Sequence, residues 1–375
     1  MRVRSHPARV RKVRAAGAQE ARAAGARQER EEREPMPAPH DSRTGQPPTL
    51  RDVAERAEVS AMTASRVLRD DPRVLPATRD RVRAAAAALG YRPNEVARSL
   101  RLGRGTGLVG LVVTNLANPF YSRLALGVDS VVAADGLKTV IGNTGQDPDV
   151  ERDLVADLVA RRVDGIIAVP AGSGQSHLAA AAAEGVPVVL ASRPPEGFAA
   201  DCVLVDDFGG ARAATALLLA RGHHRVGFLG SPPAVYTGTE RLRGYHAAHA
   251  AAGLTADPRL VRQGQTEPAE AERAAAGLLA LAEPPTALFC SNNRNTIGAF
   301  RAVRATGTDT ALAGFDDFEL ADALGLPLTL VTYDSDELGR TAGRLLVERV
   351  RERRGGDVGG HRRVVMPTGL VEYGS

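Results

Sequence analysis

The sequence predicts an α/β protein in two parts: a three-helix head with a helix-turn-helix layout, then a larger body of parallel sheets covered by helices. Three observations carry that expectation. Short amphipathic helical stretches fill residues 49–90, and from residue 108 apolar, β-branched runs alternate with alanine-rich helical stretches. Charge is also segregated: residues 49–104 hold 12 Lys and Arg against 7 Asp and Glu, whereas residues 105–375 hold 25 against 31. A basic front on an acidic body suits a nucleic-acid-binding head joined to a domain with another task.

Composition narrows the class. With 375 residues, 43% of them hydrophobic, the chain can bury a large core and exceeds one small domain. No apolar run approaches the roughly 20 residues that span a bilayer, and the Arg-rich start lacks the apolar segment of a signal peptide, so a cytoplasmic location is expected. Cys202 and Cys290 lie far apart, each within an apolar run, which predicts two buried thiols rather than a disulfide or zinc site.

Along the chain, residues 1–48 mix Arg, Ala, Glu and Gly and then turn Pro-rich. Such a stretch buries too little to offset its ordering entropy and reads as a disordered basic tail. Added affinity for nucleic acid and a true start at Met36 both remain open for it. A head at 49–93 follows. Thr49 with Asp52 is a capping-box start, and Leu50, Val53, Ala54 and Ala57 form the first apolar stripe. Glu58 and Val59 make a turn, Ser60 is an N-cap for a second short helix, and Pro76 opens a third that ends at Gly90. Residues 94–107 read as a hinge segment and a glycine-rich linker. The body, 108–375, offers nine strands: 108–113, 138–142, 165–169, 186–191, 202–205, 225–230, 286–290, 311–315 and 328–332. Runs that are apolar throughout belong to sheets covered on both faces, and their alternation with helices implies parallel crossovers. About 270 residues of this kind predict two lobes, with a ligand cleft at the carboxyl ends of the strands.

Catalytic patterns are weak. His223 and His224 have no carboxylate at ligand spacing, His246 and His249 lack a third ligand, and Gly172-Ser173-Gly174 is not in a strand-turn-helix context. Neither an enzyme activity, a metal nor a cofactor is expected.

The second helix presents Ser60, Ala61, Met62 and Thr63 at its start and Arg66 one turn later. In a major groove Arg66 can donate two hydrogen bonds to a guanine, Ala61 and Met62 can touch thymine methyls, and Ser60, Thr63 and Ser65 can hold phosphates. Asn94 to Arg101 is too short to be a stable helix alone and needs a partner.

The segments 49–68 (TLRDVAERAEVSAMTASRVL) and 90–101 (GYRPNEVARSLR) resemble the lactose/galactose-repressor (LacI/GalR) family of bacterial transcription regulators. The likeness continues through Asn118-Pro119-Phe120, Arg241-Leu242-Arg243-Gly244-Tyr245, Gly314-Phe315-Asp316-Asp317 and Glu337-Leu338-Gly339, covering roughly residues 49–372. It implies a helix-turn-helix head and hinge helix followed by a two-lobed, periplasmic-binding-protein-like core of doubly wound parallel sheets. The implied function is a ligand-responsive regulator, a repressor, that binds a pseudo-palindromic operator as a homodimer. In such a regulator Leu100 would be the minor-groove wedge, Ala97 the close approach between paired hinges, and Asn94, Arg98 and Arg101 further DNA contacts. Effector positions fall on Asn118, Phe120, Tyr121, Ser192, Arg241, Asn292, Asp316 and Tyr333, a set suited to a small, sugar-like polyol. The alternative is a solute-binding protein without DNA function. Four positions depart from the family pattern: Ser192 for Asp, Asn293 for Asp, Glu58 for a turn glycine, and Leu75 for a polar helix cap.

Overall fold

The computed structural model describes residues 47–92, 105–355 and 359–374, which divide into two compact units, the first ending at residue 93 of the chain and the second beginning at 94. Residues 1–46 of the expected tail (1–48) and the hinge residues Asn94, Ala97, Arg98, Leu100 and Arg101 lie outside the described residues.

In the head, α1 (Leu50–Arg56) starts with a capping box: Thr49 N–H donates to the Asp52 carboxylate at 2.7 Å while Thr49 Oγ1 accepts from Asp52 N–H. Its end needs a left-handed residue, and Glu58 takes that place at φ 52°. Glu58 N–H then reaches the Glu55 carbonyl and Val59 N–H the Ala54 carbonyl, the paired bonds of a Schellman turn. Ser60 caps α2 (Ala61–Val67), accepting from Thr63 N–H at 3.1 Å. Helix α3 (Pro76–Leu89) has Pro at its first position, no side-chain cap at Leu75, and Gly90 at φ 63° as its stop. The buried core these helices share is small: Val53, Ala54, Ala57, Ala64, Val67, Val82, Ala85 and Ala86.

The body contains two six-stranded sheets. The first lobe orders its strands β11-β5-β4-β3-β1-β2, with β1 (Leu108–Val113), β2 (Lys138–Asn143), β3 (Gly165–Ala168), β4 (Val188–Ala191), β5 (Asp201–Val205) and β11 (Arg363–Met366) all parallel. The second orders them β12-β10-β9-β8-β6-β7, from β6 (Val226–Gly230), β7 (Val261–Gln263), β8 (Ala287–Cys290), β9 (Ala311–Phe315), β10 (Leu328–Thr332) and β12 (Gly369–Tyr373). All nine expected strands form, two lobes result, and β12 alone runs antiparallel, against β10.

Helices cover both sheets: α4 (Pro119–Ala134), α5 (Pro148–Ala160) and α6 (Ser176–Ala183) belong to the first lobe, and α7 (Asp207–Ala220), α8 (Tyr236–Ala251), α9 (Pro268–Leu279) and α10 (Asn293–Thr306) to the second. The chain crosses between lobes three times. It leaves β5 for α7, returns from β10 through α11 (Ser335–Gly355), which packs on α4 and on β3 to β5, and leaves again between β11 and β12. Two glycines of the sequence motifs acquire a reason here. A Cβ on Gly339 would stand 2.2 Å from the Leu124 carbonyl oxygen, and one on Gly244 would stand 2.4 Å from that of Phe208, so only glycine lets α11 meet α4 and α8 meet α7 this closely. The three crossings bring the carboxyl ends of both sheets to one cleft.

Candidate functional site

The cleft walls come from the turns after the strands, and all eight predicted effector positions lie in them: Asn118, Phe120, Tyr121, Ser192, Arg241, Asn292, Asp316 and Tyr333. Asn118 and Asn292 are the N-caps of α4 and α10. Asn118 Oδ1 accepts from Phe120 N–H at 3.1 Å and Asn292 Oδ1 from Asn295 N–H at 2.9 Å. These caps fix where each helix begins at the rim. Ser192 and Asp316, directly after β4 and β9, both hold positive φ, 62° and 69°; a non-glycine residue kept there stores strain at the end of its strand.

Arg241 is the centre of the second lobe's wall. It is 5% exposed, and its Nε donates to Asp207 Oδ1 at 2.7 Å, its Nη1 to the Ser291 carbonyl at 2.5 Å, and its Nη2 lies 3.5 Å from Asp316 Oδ1. The guanidinium also stacks 3.6 Å over the Phe315 ring. Burial opposes its charge, yet the Asp316 and Asp207 carboxylates hold its pKa above the usual value. All three of its nitrogens are therefore engaged inside the protein, and Arg241 serves mainly to fix the two acids. Tyr333 O–H donates to Asp316 Oδ1 at 2.9 Å, and burial with that carboxylate raises the phenol well above its ordinary range. Phe120 meets Tyr121 and Tyr333 edge-on at 4.9 and 6.2 Å, giving the cleft an apolar corner.

The sequence reading missed Arg193 and Asp207, which line the same cleft. Asp207 is buried; burial pushes its carboxyl up to about 6 against the pull of Arg241, and its Oδ2 has no hydrogen-bond partner. Arg193 is 6% exposed with Nε and Nη1 unpartnered, and burial lowers its pKa. Position beside Ser192 was the available signal for Arg193. The Asp206-Asp207 pair reads as a helix start, and Asp206 is indeed the cap, through Gly209 N–H, while Asp207 turns inward. Among the described residues no group of three His, Cys, Asp or Glu could hold a metal ion, and no helix is long and apolar enough to cross a membrane.

In the head, Met62 is 66% exposed, and Ala61 and Arg66 are exposed beside it on α2. Among the described residues the Arg66 guanidinium makes no side-chain hydrogen bond or ion pair, although its charge acts on the Asp71 carboxylate. The hydroxyls are already engaged: Ser60 Oγ and Thr63 Oγ1 lie 2.9 Å apart, and Ser65 Oγ accepts from Arg69 Nη2 at 2.5 Å. The free chemistry on this face is thus one guanidinium and two apolar side chains.

A family model described as bacterial regulatory proteins, lacI family, matches residues 49–94, and one described as periplasmic binding proteins and sugar binding domain of LacI family matches residues 106–365. The chain belongs to the LacI family. Its relatives include the HTH-type transcriptional regulator CelR of Thermobifida fusca, 35% identical over 81% of this chain and 92% of that one. Another is the HTH-type transcriptional repressor PurR of Aliivibrio salmonicida (strain LFI1238), 30% identical over 81% and 93%. Among solved structures, the CelR–cellobiose complex superposes with a TM-score of 0.66 at 32% identity, covering 88% of this chain and 100% of that chain. The lac repressor dimer bound to operator and the anti-inducer ONPF gives 0.72 at 28% identity, covering 87% and 98%. As a LacI-family member the protein is a DNA-binding, ligand-responsive transcriptional regulator.

Proposed function

We propose that the cleft takes a small, sugar-like effector and that its occupancy controls a repressor's grip on a pseudo-palindromic operator. The observation that carries this reading is the buried Arg241–Asp207–Asp316–Tyr333 network beside an aromatic corner. Its fixed acids and hydroxyl suit hydroxyl recognition, and the Phe120 and Tyr333 rings suit the apolar face of a pyranose. Cellobiose, bound in the related CelR structure, is a rational first probe.

On DNA, Arg66, Ala61 and Met62 read base edges, while Ser60, Thr63 and Ser65 support the helix that presents them and reach phosphates at its start. The hinge residues keep the roles that the resemblance gives them, with Leu100 as the wedge. Effector binding selects one arrangement of the lobes, and that arrangement sets the spacing of the two hinges in a dimer. No catalytic role is assigned to any residue.

The reading is tested by titrating a labelled operator with and without mono- and disaccharides, cellobiose included. Parent protein should change its operator affinity with at least one sugar. Arg241→Ala should bind operator like the parent and lose that response. An Arg241→Ala protein that still responds at the same sugar concentration removes the cleft from the reading.

A further inference from the structure

One contact in the cleft joins the lobes directly. Asn293, the first residue of α10 in the second lobe, donates through Nδ2 to Asn118 Oδ1 at the start of α4 in the first lobe, at 2.8 Å. The two residues are 3% and 9% exposed. Asn118 Oδ1 is the same atom that caps α4 through Phe120 N–H. A carbonyl oxygen has two lone pairs, so this atom is fully used.

The cap also settles which way both amides face. Phe120 N–H needs an acceptor, so Asn118 must present oxygen to α4. Its partner across the cleft must then be a donor. Asn293 meets that demand at a cost, because its own Oδ1 is left buried without a partner. An acid at 293, the residue that the family pattern favours there, would set a carboxylate against the Asn118 oxygen. Turning Asn118 round would restore that pair only by withdrawing the cap from Phe120. Asparagine at 293 thus permits the cap and the interlobe bond together.

We propose that the Asn118–Asn293 hydrogen bond is a latch that holds the two lobes together across the cleft, and that asparagine at 293 is what enables it. The latch deepens, and rests on, the reading of the cleft as the moving, effector-binding part of the body. It also sorts ligands. A ligand whose donor takes the Asn118 oxygen displaces Asn293 and releases the lobes, whereas a ligand that only accepts from Asn118 Nδ2 leaves the latch made.

The test reads lobe separation without any effector, so its result does not depend on finding one. Cysteines introduced at exposed Asp149 (D149C, start of α5) and Ala269 (A269C, start of α9) put spin labels on opposite lobes of the full-length chain; the native Cys202 and Cys290 are buried. Pulsed dipolar spectroscopy then gives the distance distribution. Asn293→Ala should raise the ratio of long to short distances about fivefold, the worth of one net hydrogen bond. Asn293→Asp should raise it further. Asn118→Asp keeps an acceptor for both donors and should match the parent. Parent-like distances in Asn293→Ala overturn the latch, as does opening in Asn118→Asp; should Asn293→Asp not fold, Asn293→Ala still decides. A sugar-insensitive repressor whose Asn293→Ala variant opens would leave the latch standing and sink only the effector reading.

Discussion

At the scale of single residues, exposure separates the groups proposed to recognise from those that support. Arg66 projects from α2 without a side-chain hydrogen bond or ion pair among the described residues, whereas Arg241, which looks equally available in the sequence, is spent on Asp207, Ser291 and Asp316. Arg66→Ala should therefore cost about 1–3 kcal/mol on the specific operator and little on random DNA, measured by titration at fixed salt. Glu58 bears a different burden. It sits at φ 52° in the turn between α1 and α2, so Glu58→Gly should stabilise the head by about 1 kcal/mol, readable as a shift in its denaturation midpoint. Asp207 supplies a pH signature. Its carboxyl is raised from 3.8 to about 6 in the folded body, so the native state binds the extra proton between those values. Stability from this group is present below about pH 4 and is lost as pH rises towards 6. Unfolding free energies measured across that window should slope downward, and Asp207→Asn should flatten the slope while lowering stability overall.

At the scale of elements, the legible strands and the missed ones differ in position. All nine predicted strands are present: eight are interior strands, which must be apolar throughout because both faces are covered, and the ninth, β2, is an exposed edge that is legible from its β-branched Thr139-Val140-Ile141 run. The three that went unread, Val261–Gln263, Arg363–Met366 and Gly369–Tyr373, are all sheet edges, short and partly exposed, and their order comes from a partner strand rather than from their own pattern. Much the same holds for the cleft. The eight predicted effector positions come from the resemblance, while Arg193 and Asp207 needed the fold to turn them inward. Edge strand β11 is held by a buried pair: Arg349 Nε and Nη2 reach the Asp201 carboxylate at 2.7 and 3.0 Å, Nη1 and Nη2 hold the Gly359 and Gly360 carbonyls, and Arg362 N–H donates to Asp201. Burial alone would raise the Asp201 carboxyl, but the bonds from Arg349 and Arg362 win and lower it. Removing one member of such a pair strands the other, so Arg349→Ala should destabilise the body by about 3–5 kcal/mol. Hydrogen exchange should show β11 losing protection first; unchanged protection there would mean that the pair does not anchor this edge.

At the scale of the whole molecule, the unsolved demand is a partner for the first lobe's open edge. Strand β2 ends its sheet with one side unpaired and exposes Val140 and Ile141, each 45%, and α4, which packs on β2, exposes Leu126 at 67%. An edge with unpaired backbone groups and exposed apolar side chains is a liability unless something covers it. A second copy of the chain, meeting it about a two-fold axis, fits both that surface and a palindromic operator. The arithmetic of DNA binding makes such a partner necessary. One head offers a single short recognition helix over a small, alanine-rich core, and a second head tethered nearby turns its own binding into an intramolecular step, multiplying affinity by about 10²–10⁴. Leu126→Glu places a charge on this face without touching the core, so its fold should survive. Sedimentation velocity should show monomers where the parent shows dimers, and operator affinity should fall by about that factor, whereas each head's affinity for an isolated half-site should stay unchanged. A Leu126→Glu protein that sediments as a dimer and binds the full operator like the parent would assign the dimer contact to another face.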